Sequence, residues 1–128
     1  MKFQPDLLPG TNVVTRCDAH ALWVGAQRHG HSLLVPWRGE VQRWAPDSPA
    51  ALGAADFEAV LALAPEVVIF GSGPRLQFVH PSLLRALIER RIGVETMDTP
   101  AACRTYNVLA SEGRSVVAAL LVPPAPAA

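Results

Sequence analysis

The chain of 128 residues has few cysteines, no excess of either charge and no long apolar run. Its two cysteines, Cys17 and Cys103, lie far apart and outside any CxxC pair, which excludes a disulfide framework and favours a reducing compartment. Eleven basic side chains balance eleven acidic ones, so we expect no nucleic-acid partner. The longest apolar run, residues 116–122, is far shorter than the ~20 residues of a membrane helix. The first six residues lack the apolar core of a secretory signal, and we expect a cytoplasmic protein.

Half of the residues are apolar and 17% are charged, a composition typical of a folded domain with a sizeable core. The length fits one domain, which we place at residues 1–122. Residues 123–128 contain only proline and alanine and predict a disordered tail, because proline cannot pair in a sheet.

The first 45 residues carry strand patterns. Short runs rich in Val, Leu and Trp at 12–17, 21–27 and 31–37 predict an N-terminal β-hairpin region, with a turn at Arg28, His29 and Gly30. Residues 41–44 predict a further short strand. The three tryptophans are interpreted as core and sheet-face packing, since no arginine-rich face interleaves them.

Beyond residue 46 the apolar period changes to that of helices alternating with strands. The first predicted helix has Phe57, Val60, Leu61 and Ala64 on its apolar face and ends at Pro65, and the second begins at Pro81, buries Leu83, Leu84, Leu87 and Ile88 and ends at Gly93. The third helix is capped by Thr99 and ended by Gly113. Strands are predicted at residues 67–70, 94–98 and 115–122. This β-α-β-α-β order predicts an α/β fold with helices covering a mostly parallel sheet.

The turn Gly71-Ser72-Gly73 follows a buried strand, where phosphate-binding turns also lie. A dinucleotide fingerprint needs a third glycine where this chain has Leu76, and a nucleophile elbow needs a glycine two residues before Ser72. The pattern favours a tight turn, and we expect no nucleotide or other cofactor.

Ligands of open α/β sheets bind beyond the carboxyl ends of parallel strands. Residues of the turn and of the next strand end meet there beside the predicted third helix, whose N-terminus attracts anions. The candidate pocket for an anion or small ligand comprises Gly71, Ser72, Gly73, Arg75, Asp98, Thr99 and Asn107.

No complete catalytic or metal-binding motif is present. Ser72, His80 and Asp98 supply the residue types of a catalytic triad, but only geometry defines one. His29 and His31, with Cys17 or His20 near, make a weak zinc pattern. The N-terminal turns of a helix lower a cysteine pKa, yet Cys103 beside two alanines is better interpreted as packing. We expect no catalytic residue and no metal, and lean away from an enzyme.

One segment is more specific than any of these motifs. Residues 97–109 read MDTPAACRTYNVL and residues 112–120 read EGRSVVAAL. Together with Gly71-Ser72-Gly73 they resemble a small single-domain family of unknown biochemical function that includes the mitochondrial NADH dehydrogenase (complex I) assembly factor three, and the chain looks like a bacterial member. The matching positions are Gly71, Gly73, Asp98, Thr99, Ala102, Tyr106, Asn107, Gly113 and Arg114.

The resemblance implies a three-layer α/β domain whose central mixed sheet has its last strand antiparallel to the rest. It implies no catalytic residue. Two functions stay open: an adaptor or assembly factor that binds a protein partner, including one at a membrane surface, and a small-molecule or anion-binding protein or enzyme that uses the strand-end pocket. The resemblance favours the adaptor.

Overall fold

The computed structural model describes residues 9–126. The start of the chain, used above for the signal prediction, and the last two tail residues lie outside that range. The strands are β1 Val14–Asp18, β2 Ala21–Val24, β3 Gln27–His29, β4 Leu33–Pro36, β5 Gln42–Arg43, β6 Val67–Gly71, β7 Gly93–Met97 and β8 Val116–Leu120. The α-helices are α1 Ala54–Leu61, α2 Arg85–Glu89 and α3 Thr99–Ser111, with 3₁₀ turns at Pro49–Ala51 and Pro81–Leu84.

Five strands form the central sheet in the order β5-β4-β8-β6-β7. β6 is parallel to both β7 and β8, whereas β4 is antiparallel to β8 and to β5. The prediction that the last strand is antiparallel to the rest is therefore wrong. The helix α3 carries the chain from β7 back across the sheet, and such a crossover returns it parallel. The single reversed strand is β4, which comes from the N-terminal half of the chain.

The sheet is covered on both faces, which gives the predicted three-layer α/β fold. Every residue of β6 and β8 is buried, as expected for continuous apolar strands between two layers. One face, with Val68 and Phe70, packs against α1 and α2 around Phe57 and Leu87. The other face, with Ile69, packs against α3 and the N-terminal strands.

The N-terminal strands form a separate three-stranded antiparallel sheet, β1-β2-β3. Val24 pairs with Gln27, so the hairpin turn is Gly25-Ala26 and not the predicted Arg28–Gly30. Gly25 has φ 58°, the left-handed conformation that two-residue hairpins require. Arg28 and His29 lie on β3 itself.

The three tryptophans lie in the core or on a sheet face, as predicted, but arginine side chains do stack on two of them, Trp23 and Trp37. Trp44 is buried edge-to-face against Phe57, with ring centroids 5.7 Å apart. Trp37 packs against the core on the α3 side, and Trp23 on β2 lies under the guanidinium of Arg16 at 4.5 Å.

The two smaller helices depart from their predicted bounds. α1 ends at Leu61, and Ala64 takes φ 52° in the following turn instead of continuing the apolar face. The predicted second helix begins with the 3₁₀ turn, and its Ile88 is 55% exposed rather than buried. Arg91, at φ 58°, makes the left-handed turn after α2, so Gly93 is the first residue of β7 and not the helix terminator.

The C-terminal elements follow the sequence more closely. Gly113, with φ 78°, ends α3 in the predicted way. Residues 123–126 have no regular secondary structure, and Pro123 is half-buried with its carbonyl oxygen 3.0 Å from His20 Nδ1. Over residues 9–126, none of the helices combines the length and apolar character needed to span a membrane.

Candidate functional site

Five of the seven predicted pocket residues come together where β6 and β7 end and α3 begins: Gly71, Ser72, Gly73, Asp98 and Thr99. The hydroxyl of Thr99 lies at the centre, fully enclosed: it donates to the Leu121 carbonyl at 2.8 Å and accepts from the Gly73 amide at 2.9 Å. The Thr99 amide donates in return to the Gly73 carbonyl at 2.8 Å. These three bonds join the turn, the helix and the end of β8 into one rigid unit.

Two glycines permit this close packing, for different reasons. A Cβ on Gly71 would lie 2.9 Å from Thr99 Oγ1 and 3.0 Å from Thr99 Cα, so no side chain fits there. Gly73 has open space around it but takes φ 105°, a conformation that L side chains rarely adopt. The first glycine is required by contact and the second by backbone geometry.

Ser72 is buried and also engaged in local structure. Its hydroxyl lies 2.7 Å from the Arg75 carbonyl and 3.1 Å from the Met97 carbonyl, and it accepts from the Gln77 amide at 3.0 Å. It therefore closes the turn after β6.

Asp98, and not Thr99, caps α3. Its carboxylate accepts from the Ala101 amide at 2.8 Å, and Thr99 and Pro100 are the first two helical residues. Thr99 was predicted as the cap because it directly precedes proline. Its hydroxyl instead binds the Gly73 amide after β6 and the Leu121 carbonyl after β8.

The N-terminal donors of α3 are consequently occupied from within the chain. The Thr99 amide binds Gly73, the Ala101 amide binds Asp98, and Pro100 has no N–H. An anion at this helix end would have to displace the Asp98 carboxylate, which already satisfies the helix dipole.

A cleft of about 410 Å³ opens beside this unit. It lies between the end of β1, the turn, the start of α3 and the chain after β8. Its lining residues are Cys17, Asp18, Ala19, Gly73, Pro74, Thr99, Pro100, Leu121, Val122 and Pro123. Of the predicted pocket residues only Gly73 and Thr99 line it, and the remaining walls are mostly apolar.

The other predicted pocket residues lie elsewhere. Gly71 and Ser72 are buried outside the lining, and Arg75 is exposed. Asn107 lies two turns along α3, where its side chain accepts from the Val14 amide at 3.0 Å and donates to the Val14 carbonyl at 2.8 Å. This bidentate pairing replaces a strand neighbour for β1 and fixes it to α3.

Tyr106 makes a second link between α3 and the N-terminal region. Its hydroxyl donates to the Asn12 carbonyl at 2.7 Å, and the ring is fully buried. Burial raises the pKa of Tyr106 well above its ordinary value. The residue is therefore structural.

The residue types of the catalytic triad do not meet. The Ser72 hydroxyl binds backbone carbonyls, the Asp98 carboxylate caps α3, and His80 Nδ1 lies 2.8 Å from the Ser82 hydroxyl. His29 and His31 contact each other, with centroids 5.9 Å apart. Within residues 9–126 no group of three or more His, Cys, Asp or Glu side chains is arranged to hold a metal.

The cysteines, in contrast, are brought together. Cys17 lies on β1 and Cys103 on α3, and both are buried in the same core cluster. The Cys17 S–H lies 3.9 Å from the Asp18 carbonyl oxygen, and the Cys103 thiol is hydrogen-bonded to the Cys17 sulfur. That bond lowers the pKa of the Cys17 thiol and raises the pKa of the Cys103 thiol, which burial raises further. The sequence carries no spacing signal for this pair, because the contact joins two distant elements.

A contrasting surface follows the turn directly. In residues 74–80, which form neither helix nor strand, Leu76 is 54% exposed and Phe78 is 73% exposed. In the sequence, Leu76 stands where a dinucleotide fingerprint would have its third glycine, and that position gave no indication of an exposed surface. The sequence signal for this exposed surface is the presence of large apolar residues in a segment that has neither a helical nor a strand period.

Comparison with known proteins identifies relatives of the whole domain. The family described as a protein of unknown function (DUF498/DUF598) matches residues 14–121. A crystal structure of a Bordetella parapertussis protein is 38% identical, with a TM-score of 0.84 over 91% of this chain and 98% of that one. A Bordetella pertussis solution structure described as an Mth938-like domain is 31% identical, with a TM-score of 0.82 over 97% and 95%.

A shorter match connects the chain to a eukaryotic protein. The mouse NADH dehydrogenase [ubiquinone] 1 alpha subcomplex assembly factor 3 is 48% identical over 59 residues, which are 46% of this chain. The match spans 32% of the mouse protein's own length.

Proposed function

The chain belongs to the family of proteins of unknown function DUF498/DUF598, and on this premise we propose that it is a protein-interaction factor of the assembly type. The observation that carries the proposal is the exposure of Leu76 and Phe78. Two large apolar side chains presented on one short segment resemble the anchors of protein interfaces, which fill apolar pockets on a partner.

The segment is held in place without being covered. Its first end is fixed by the turn, where the Ser72 hydroxyl binds the Arg75 carbonyl and the Gln77 amide. Its second end is fixed by the His80 side chain, which accepts from the Ser82 amide and caps the 3₁₀ turn. A segment anchored at both ends loses little conformational entropy on binding, which favours affinity.

The assembly factor relative supplies the kind of partner. A subunit of the respiratory NADH dehydrogenase, or an assembly intermediate of it, is the partner that the similarity to the mouse protein suggests. The chain would meet it in the cytoplasm and reach the membrane surface through it. Phe78 would enter an apolar pocket of that subunit, with the neighbouring Arg75 at the polar rim.

Site-specific photo-crosslinking in the native host tests this proposal. A photoreactive residue at position 78 should give a discrete adduct with a subunit of NADH dehydrogenase. The same residue at position 108 is the matched control, because Val108 is 57% exposed on α3 and is also apolar. The double variant Leu76→Ser/Phe78→Ser should reduce co-purification of that subunit at least ~10-fold, and Val108→Ser should not.

Two results would overturn the proposal. One is the same adduct pattern from positions 78 and 108, which would show that exposure alone determines crosslinking. The other is full co-purification of the subunit with the double variant.

A second candidate function is small-molecule binding, and the cleft is the observation that favours it. About 410 Å³ lies within the range of small-ligand sites, and the apolar walls with a few polar groups are typical of them. The occupied amides of α3 and the Asp18 carboxylate favour a neutral or cationic ligand over an anion.

Amide NMR with a fragment library distinguishes this function from the first. A cleft ligand should shift the signals of Ala19, Thr99 and Val122 and leave Phe78 unchanged. Fragments that shift no cleft residue at millimolar concentration would rule the second candidate out.

A further inference from the structure

Two buried cysteines lie beside the cleft, and neither forms a disulfide: Cys17 lines the cleft, and Cys103 belongs to the same core cluster as Cys17. Cys103 lies one helical turn after Thr99, so both residues project from the same side of α3. Thr99 and Cys17 both line the cleft. The two sulfur atoms are therefore placed between the cleft and the core.

The contact between the thiols is fixed by the surrounding structure. One turn beyond Cys103, Asn107 holds both backbone groups of Val14 on β1. This clamp sets the distance between α3 and β1, and Cys17 lies further along β1 toward the cleft. Both cysteines belong to one buried cluster and the Cys103 thiol is hydrogen-bonded to the Cys17 sulfur, so the two side chains are neighbours.

The two thiols differ in access and in acidity. Cys17 is 6% exposed and faces the cleft, whereas Cys103 is fully buried. The hydrogen bond from Cys103, aided by Arg104, lowers the pKa of the Cys17 thiol against the opposing effects of burial and of Asp18. The more acidic thiol is thus the one that a small reagent reaches first.

We propose that Cys17 and Cys103 form a reactive dithiol site, which a hydroperoxide entering the cleft converts into an intrachain disulfide. Cys17 is the attacking residue and Cys103 is the resolving residue. The inference is independent of the proposed partner binding, since it concerns the cleft and not residues 74–80.

The chemistry balances with the hydroperoxide as the only oxidant. The Cys17 sulfur attacks the peroxide, the O–O bond breaks, an alcohol or water leaves, and Cys17 becomes a sulfenic acid. The Cys103 sulfur then attacks the Cys17 sulfur, the S–O bond breaks, and the hydroxyl leaves as water with the Cys103 proton. The two thiols lose two electrons and two protons in total.

Stoichiometric hydrogen peroxide added to the folded full-length chain tests the site. After quenching and alkylation under denaturing conditions, mass spectrometry should find both thiols protected and a non-reduced peptide that links Cys17 to Cys103. Dithiothreitol should restore both thiols.

Single variants separate the two roles, with the fold of each checked by its amide NMR spectrum. In Cys103→Ser, peroxide should leave a Cys17 sulfenic acid that dimedone traps. In Cys17→Ser, Cys103 should react at least ~10-fold more slowly than Cys17 does in Cys103→Ser. Cys103→Ala replaces Cys103→Ser if the serine variant does not fold.

The wild-type chain alone can overturn the proposal. Two alkylatable thiols remaining after peroxide has oxidised methionine would contradict it, as would disulfides formed only between molecules. Equal reactivity of Cys17 and Cys103 in the single variants would contradict the assigned roles.

Discussion

The turn 71–73 and the segment 74–80 are adjacent in the chain and opposite in character. In the turn, every polar group discussed above has a partner within the protein: the Thr99 hydroxyl makes two bonds and the Ser72 hydroxyl accepts from Gln77. In the segment, Leu76 and Phe78 present large apolar surfaces to solvent. The residues that resemble a ligand site build the framework, whereas the neighbouring segment without a motif exposes apolar side chains to solvent.

The hydrogen bonds of a polar strand-end motif decide whether it is available to a ligand or already occupied within the chain. A glycine turn before a helix N-terminus binds an anion only when its amides point at unoccupied space. Here Thr99 and Asp98 fill that space with their own oxygen atoms. The motif therefore stabilises a junction between two strands and a helix.

The largest expected effect comes from breaking the turn. Thr99→Val keeps the volume but removes the hydroxyl, leaving the Gly73 amide and the Leu121 carbonyl buried without partners. We expect a loss of about 3 kcal/mol in the free energy of unfolding, measured by urea denaturation. Thr99→Ser keeps the hydroxyl and should lose less than half as much. Equal losses in the two variants would show that packing, not hydrogen bonding, dominates.

A smaller effect is expected from the backbone of the turn. Gly73→Ala should cost about 1–2 kcal/mol, because alanine is strained at φ 105° although no atom obstructs its Cβ. Gly93→Ala is the matched control, since Gly93 has open space and no positive φ, and it should change stability by less than about 0.5 kcal/mol. Thermal unfolding of both variants checks the difference, and a neutral Gly73→Ala would refute it.

Alkaline titration tests the buried framework away from the turn. Tyr106 is the only tyrosine, so tyrosinate absorbance reports this residue alone. Its pKa is raised in the folded state, so the unfolded state loses the proton first and stability falls as the pH rises above about 10. Tyr106→Phe should be about 1 kcal/mol less stable at neutral pH, and that deficit should shrink above pH 10. Tyrosinate absorbance that appears at pH 10 without unfolding would contradict the burial.

The smallest effect on stability is expected in the exposed segment. Leu76→Ser/Phe78→Ser should change the free energy of unfolding by less than about 0.5 kcal/mol, since neither side chain is buried. The same variant should lose partner binding. A loss of binding without a loss of stability is the opposite of what we expect for variants of the turn. Denaturation and co-purification of one preparation give both values, and a large stability loss would place the segment in the framework.

The sequence predicted what depends on local patterns. The apolar runs of β6 and β8, the parallel β-α-β-α-β order and the end of α3 at Gly113 were all readable from neighbouring residues. The cap of α3 was misplaced by one residue, since Asp98 and Thr99 are both good caps and only tertiary contacts assign their oxygen atoms.

Long-range contacts were not readable. Asn107 was expected near the pocket but binds Val14, which is 93 residues away in the chain. The Cys17–Cys103 contact has the same origin, because it depends on how α3 packs on β1. The predicted orientation of β8 was also wrong, since the resemblance implied a reversed last strand and the reversed strand is β4.

The most direct test of the central claim is a phosphate titration of the folded chain followed by amide NMR in D₂O. The Gly73 amide donates to Thr99 Oγ1 and the Thr99 amide donates to the Gly73 carbonyl, so both amides should exchange slowly with solvent. Millimolar phosphate should leave the NMR signals of both amides unshifted. Rapid exchange of these two amides, with a saturable phosphate shift confined to Ser72, Gly73 and Thr99, would contradict it and make the turn a ligand site.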